Sequence, residues 1–260
     1  MFIDGIVVTA ATGGIGTEIS KSLARRGEKL ILAVRNQDKA KNLKDVLVKL
    51  GAAKVESIHL DFDDAQSIEG ISSKFESVKG LVICPPRIKP TDDPLPDQAN
   101  WLHAYQQVFL NPLEIVKILI PALKIGALTT KAGRSSVVLV SGISSKQAMS
   151  HYAINNSIRA GWQAQIKTLA NAFGPDGIAF NSVSLGGVLT EAYRSKLEGK
   201  AVEMNRTFNE QLSFEVSNVP LRRYAHPEDV GVIVADVLLS LSKHITGQNI
   251  IADGGFIQTY

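Results

Sequence analysis

Between Thr9 and Gly16 the chain reads Thr9-Ala10-Ala11-Thr12-Gly13-Gly14-Ile15-Gly16 and runs straight into a helical pattern, Thr17 to Arg26. Glycines at a strand-to-helix turn let backbone N–H groups approach a phosphate, and the helix N-terminus adds about half a positive charge. These types and spacings read as a cradle for a dinucleotide pyrophosphate, built from Thr9, Ala10, Thr12, Gly13, Gly14, Ile15 and Gly16. The next apolar run ends Ala33-Val34-Arg35-Asn36. An acid there would hydrogen-bond the 2′-hydroxyl of an adenosine ribose, whereas a guanidinium matches a 2′-phosphate. Arg35, with Asn36 beside it, therefore points to NADP(H) over NAD(H); the plain alternative is a solvated loop arginine.

A second group of chemistry-bearing residues lies further along. Tyr152, Asn155, Arg159 and Trp162 follow i, i+3, i+7 and i+10, which places them on one helix face. Arg159 cannot give up a proton at neutral pH, but as a permanent cation it can fix a ribose or an anionic substrate. Tyr152 is either an acid or a structural aromatic near the helix start. Ser141, Ser144 and Ser145 offer hydroxyls from the preceding loop, where serines commonly serve as caps and turns. Trp162 reads as core or interface packing, and His151 as an exposed histidine without a role. The candidate catalytic set is Asn155, Arg159, Tyr152 and Ser144. The single cysteine, Cys84, excludes an intrachain disulfide and a cysteine-based zinc site, so no metal is expected and a reducing cytoplasm suits the chain.

These groups need elements to position them. Short β-branched or apolar runs recur at Ile6 to Thr9, Leu30 to Val34, Val55 to His59, Leu81 to Ile83, Val137 to Val140, Ala179 to Val183 and Gln248 to Ala252, making seven strands joined by six helical connections. Parallel strands need long crossovers and are buried on both faces. Continuous apolar runs separated by helices thus predict an α/β fold, a Rossmann-like, doubly wound, seven-stranded parallel sheet with helices on both faces. Two stretches break the rhythm: Pro85 to Pro96, with five prolines in twelve residues, and the polar, helical-looking insertion Thr190 to Asn218. Both follow strand carboxyl ends, where open α/β sheets bind ligands.

With 260 residues, 45% hydrophobic and 20% charged, the chain has ordinary globular composition, and one domain spanning 1–260 is the expectation. A net charge of +3 with scattered Lys and Arg gives no reason to expect nucleic acid. Met1 to Gly5 places an acid where a signal peptide wants bases, and no apolar run reaches the roughly 20 residues that span a bilayer. Neither membrane nor nucleic acid is expected as a partner, and a cytoplasmic location is.

Over essentially its whole length the chain resembles the short-chain dehydrogenase/reductases, near the branch of 3-oxoacyl-carrier-protein reductases. The resemblance rests on Thr9 to Gly16, Asp61 after strand three, Ala170 to Asn181, Pro220 to Val230, and Ile245 to Gly255 ending Asp253-Gly254-Gly255. It implies that Asp61, with Phe62, lies at the adenine, and that Gly186, Val188 and Thr190 lie on the nicotinamide or diphosphate side. Ala10 stands at the family's first glycine, and Cys84-Pro85-Pro86 replaces its Asn-Ala-Gly element, leaving Cys84 and Pro85 beside the cofactor. Family members also associate as two-fold dimers or tetramers, which implicates Val108 to Leu123 and Ile250 to Tyr260 as contact surfaces or as ordinary core-facing segments.

The family's proton relay is a serine ending strand five, a tyrosine on the next helix and a lysine four residues later; the tyrosine moves the substrate proton and the lysine lowers its pKa and holds the ribose. Tyr152 is followed four residues on by Asn156. Aligning backward from Lys167 to Asn181 without gaps puts Asn155 at the tyrosine, Arg159 at the lysine and Gly142 at the serine, while the family's helix-four asparagine falls at Val108. The chain is therefore expected to lack the relay. One reading is an NADP(H)-dependent oxidoreductase acting on an activated carbonyl, imine or conjugated acceptor. The other is a non-redox descendant, an isomerase or cyclase or a dinucleotide-binding regulatory protein.

Overall fold

β-Branched and apolar runs form the strands because their side chains can be buried on both faces of a pleat. In the computed structural model, which describes residues 1–259, these are β1 (Gly5–Thr9), β2 (Lys29–Val34), β3 (Lys54–His59), β4 (Val78–Ile83), β5 (Ser135–Gly142), β6 (Ile178–Leu185) and β7 (Gln248–Ala252). Each expected run lies inside its strand. Neighbours pair in parallel in the order β3-β2-β1-β4-β5-β6-β7. The chain works outward from β1 to β3 and then crosses back to β4, which leaves a crevice between the carboxyl ends of β1 and β4.

The connections are α1 (Gly14–Ala24), α2 (Gln37–Lys49), α3 (Ala65–Glu69), α4 (Gln98–Tyr105) continuing through a π-helical turn (Gln106–Leu110) into α5 (Asn111–Thr129), α6 (Ala153–Phe173), and α7 (Glu191–Glu203), α8 (Phe208–Glu215) and α9 (Pro227–Leu239) before β7. Cap chemistry marks several starts: Asn36, Asp64, Asp97, Thr190 and Thr207 each accept a hydrogen bond from a first-turn amide. The twofold period of the strands then sorts the core. Ile6, Val8, Leu30 and Leu32 pack with Ile19, Leu23, Leu47, Val234 and Leu238 of α1, α2 and α9. Val7, Ile31, Leu81 and Val137 pack on the other face with Ile115, Leu119, Ile158 and Ile166 of α5 and α6. Each such side chain contributes about 1.5–3 kcal/mol when removed from water, set against a conformational entropy cost of similar total size.

The two irregular stretches both lie over the carboxyl ends of the strands. Residues 85–96 contain no helix or strand, as five prolines dictate. This loop is tied to the entry of α6, where Thr91 N–H donates to the His151 carbonyl at 3.1 Å and the exposed His151 Nδ1 lies 2.5 Å from Asp92 Oδ1. The insertion from Thr190 to Asn218 forms α7 and α8. Within Val108 to Leu123, Val108, Phe109, Ile115, Val116, Leu119, Ala122 and Leu123 are buried in the protein's own core, whereas β7 is the half-exposed edge of the sheet. Tyr260, the last residue of the other suspected contact stretch, lies outside the described residues. Among the described residues no helix is long and apolar enough to cross a membrane.

Candidate functional site

The crevice is closed at its base by Thr9, whose buried Oγ1 accepts a hydrogen bond from the Cys84 amide at 2.8 Å and so ties the end of β1 to the end of β4. The next residue, Ala10, takes a left-handed backbone, φ +48°, and its carbonyl accepts from the Gly13 amide at 2.9 Å. Helix α1 begins with Gly13 as its cap and no capping side chain, and the amides of Gly14, Ile15 and Gly16 find no acceptor among the described residues. Gly16 is required here, because a Cβ on it would lie 2.4 Å from the Ala10 carbonyl oxygen. Thr17 Oγ1 donates to the Ala11 carbonyl at 3.1 Å and holds the turn, in which Thr12 is half-buried. Thr190 stands opposite, with its methyl group 3.5 Å from where a Gly14 Cβ would be and its hydroxyl accepting from the Tyr193 amide at 3.3 Å.

The outer rim is more mixed. Arg35 is exposed at the end of β2 and makes no ion pair or hydrogen bond with any described residue. Asn36 beside it caps α2, accepting from the Lys39 amide at 3.0 Å. Asp61 Oδ1 accepts from the Asp63 amide at 3.1 Å, and its own amide donates to Ser67 Oγ at 2.9 Å. The Phe62 side chain is in the core, and its carbonyl accepts from the Asn111 carboxamide.

A cavity of about 530 Å³ opens beside the cradle, over the ends of β4, β5 and β6. Ile15, Pro85, Gly186, Val188 and Thr190 line the side toward the cradle, and Gly142, Ser144, Tyr152, Asn155, Arg159 and Trp162 line its inner wall. The helix face expected from spacing is thus assembled. Cys84 lies behind this surface, where burial pushes its thiol up to about 12.

The guanidinium of Arg159 folds back over Gly142: a Cβ at that glycine would sit 2.5 Å from Arg159 Nη1 and 2.7 Å from Cζ. Nη1 donates to the buried Ser144 Oγ at 3.1 Å, and Cζ lies 6.0 Å from the centre of the Tyr152 ring. Burial, followed by the neighbouring positive Arg87, lowers the proton affinity of Arg159 below its usual value, while Tyr152 opposes that shift. Asn155 is 1% exposed, and its Oδ1 has no hydrogen-bond partner; the buried Ser141 Oγ likewise has none. Ser145 fixes the turn that carries Ser144, through Ser184 Oγ at 2.8 Å and Asn249 Nδ2 at 3.1 Å. Trp162 is core, as expected: its indole N–H donates to the Val108 carbonyl at 2.9 Å, within the π-helical turn, and its ring packs 4.8 Å from that of Phe109.

The roof comes from side chains that spacing did not single out: Tyr193 on α7, Glu215 on α8, and Tyr224 before α9, with Arg87 at the proline-rich wall. Only the placement of their segments after strand ends hinted at them. The roof is charge-balanced. Glu215 Oε1 meets Lys200 Nζ at 2.8 Å and Gln211 Nε2 at 3.0 Å, and Glu215 Oε2 accepts from the Tyr224 hydroxyl at 3.4 Å. Burial raises the Glu215 carboxyl, but Lys200 and these hydrogen bonds outweigh it, so the group stays below the usual carboxylate range. Burial and the neighbouring Tyr193 hold the Tyr224 phenol far above its ordinary value.

A family model described as enoyl-(acyl carrier protein) reductase matches residues 9–257. The uncharacterized oxidoreductase YmfI of Bacillus subtilis (strain 168) is 25% identical over 257 residues, covering 96% of this chain and 97% of that protein. Among solved structures, YwfH, an NADPH-dependent reductase involved in bacilysin biosynthesis, superposes with a TM-score of 0.88 at 22% identity, covering 100% of both chains. An NADPH-bound short-chain oxidoreductase of Pseudomonas aeruginosa PAO1, described as containing an atypical catalytic center, superposes with a TM-score of 0.85 at 19% identity, again over 100% of both chains.

Proposed function

The chain belongs to the short-chain dehydrogenase/reductase family, in the group described as enoyl-(acyl carrier protein) reductase, and from that premise we propose that it is an NADP(H)-dependent oxidoreductase working without the family's serine, tyrosine and lysine. The observation that carries this reading is the Arg159 guanidinium filling the space over Gly142, where a serine side chain would project. Gly142 brings no hydroxyl, Asn155 no titrating proton, and Arg159 stays charged throughout the useful pH range.

The cradle suits a dinucleotide. The first-turn amides of α1 are uncapped and unpaired, Gly16 keeps the turn close to the helix, and Thr190 faces the helix start. Gly14, Ile15 and Gly16 would hold the pyrophosphate, Arg35 the 2′-phosphate and Asp61 the adenine end, while Ile15, Val188 and Thr190 would border the nicotinamide. Arg35 supports NADP(H) further because no carboxylate within the described residues engages it. When bound, the cofactor supplies a hydride to, or accepts one from, a carbon in the cavity.

The chain's own residues would supply position and charge. Arg159, steadied by Ser144 and by the Tyr152 ring, presents fixed N–H donors to the substrate end of the cavity, where negative charge develops as a hydride arrives. Asn155, on the cavity wall, orients the substrate. Losing a general acid costs roughly 10²- to 10⁴-fold on a simple ketone, so the fitting substrates are activated: a polarised carbonyl, an imine or a conjugated acceptor. Tyr152 supports the guanidinium with its ring in this reading.

The test is direct. Purified protein is titrated with NADPH and NADH by nicotinamide fluorescence, and cofactor oxidation is then followed with conjugated and with simple carbonyl acceptors. Preferential NADPH binding with turnover confined to activated acceptors is the expected result. Binding without turnover on any acceptor would move the protein to the non-redox class, and no binding would end both readings.

A further inference from the structure

Resting on that reading of the site, we infer that the substrate is itself an anion, an acid whose carboxylate is held by Arg159 beside Ser144. Arg159 lines the cavity as a cation without a counter-ion: no carboxylate among the described residues lies within ion-pair distance of it, and of its five N–H donors one meets a neutral hydroxyl, that of Ser144. Arg87, which lines the same cavity and acts on Arg159, is also positive. A cation taken from water without a partner is costly, and such groups are ordinarily paired.

The acids facing the same cavity are committed elsewhere. Glu215 is bound to Lys200, and the Asp253 carboxylate accepts the amides of Gly255 at 2.8 Å and Ile257 at 2.7 Å. The open N–H donors of Arg159 describe a site for a group that accepts from a guanidinium, which a carboxylate does well, since its two oxygens match the guanidinium fork.

The charge of the dinucleotide does not reach this cation. Its pyrophosphate belongs at the start of α1, beyond the end of β1, whereas Arg159 lies over the end of β5, two strands away in the order β1-β4-β5. The hydroxyls of the nicotinamide ribose, which the family's lysine holds from this position, are neutral and would leave the charge uncompensated. A cavity of about 530 Å³ leaves room for a small acid next to the nicotinamide.

The experiment compares trans-cinnamate with trans-cinnamamide, a pair of similar shape differing in charge, by calorimetric titration of the protein saturated with NADPH. The wild type is expected to bind the acid at least about tenfold more tightly than the amide, the usual scale of a charge-assisted hydrogen bond. Arg159→Gln is expected to erase that preference, whatever ribose contact it also removes; Arg159→Lys, which keeps the charge and loses the fork, is expected to retain part of it. Equal affinity for acid and amide in the wild type, failure of the acid to bind, or a preference that survives in Arg159→Gln each overturns the inference, as does an Arg159→Gln variant that loses NADPH while still preferring the acid. The wild-type comparison decides even if a variant does not fold. If the wild type fails to bind NADPH, the oxidoreductase reading falls, and the acid-amide comparison on the protein alone still tests Arg159.

Discussion

Arg159 and Gly142 share one volume: the guanidinium lies where a side chain on residue 142 would begin, with Nη1 2.5 Å from the ideal Cβ position. Two residues far apart in sequence are thereby coupled. A side chain at 142 must expel the guanidinium from its bond to Ser144, and a shorter side chain at 159 leaves room for one.

Gly142→Ser alone should cost about 0.5–1.5 kcal/mol of stability, the net worth of the hydrogen bond to Ser144 lost as the flexible guanidinium swings away, and most of this should vanish when Arg159→Lys is added, measured as a double-mutant cycle in urea. Adding Asn155→Tyr as well would recreate the family's relay, and this triple variant should reduce simple ketones at least about 10²-fold faster than the wild type. A Gly142→Ser protein that melts like the wild type would refute the shared-volume account.

Arg35 carries the choice of cofactor in the proposed function. Because it is exposed and unpaired within the described residues, Arg35→Glu should leave the melting temperature unchanged. The same variant should weaken NADPH at least about tenfold by losing a charge-assisted contact while affecting NADH far less. Parallel fluorescence titrations settle it, and an equal loss for both cofactors would count against a role at the 2′-phosphate.

Ala10 sits in left-handed backbone at φ +48°. An L-residue there costs roughly 1–2 kcal/mol, while glycine gives back about 0.5–1 kcal/mol through unfolded-state freedom. Ala10→Gly should therefore raise stability by up to about 1 kcal/mol and bind NADPH at least as tightly. A destabilised variant would mean that the alanine methyl makes a contact worth more than the strain.

Cys84 tests the burial behind the site. With its thiol pushed from 9.0 up to about 12, the folded protein favours the protonated form. This contributes stability that is whole below pH 9.0 and is lost as pH rises from there toward about 12. The thiol should resist iodoacetamide at pH 8 in the folded protein and react readily in guanidinium chloride. Rapid labelling of the folded chain would show Cys84 open to solvent.

The strands, the cradle and the chemistry-bearing helix face were legible in the amino-acid order, since each is written in local terms. Ile6 to Thr9 and its six counterparts are runs whose neighbours need not be known, Thr9 to Gly16 is one continuous turn, and the spacing of Tyr152, Asn155, Arg159 and Trp162 is helical geometry. What each side chain does there was decided by the tertiary structure. That Asn36 is spent on capping α2, that Phe62 turns into the core, and that Tyr193, Glu215, Tyr224 and Arg87 close the cavity depends on segments brought together from distant parts of the chain. The same holds for Arg159. Its charge is plain in the order of residues, but that it lies over Gly142 with a neutral hydroxyl as its polar partner is a fact about surroundings, and ion pairing and desolvation are set by contacts in space.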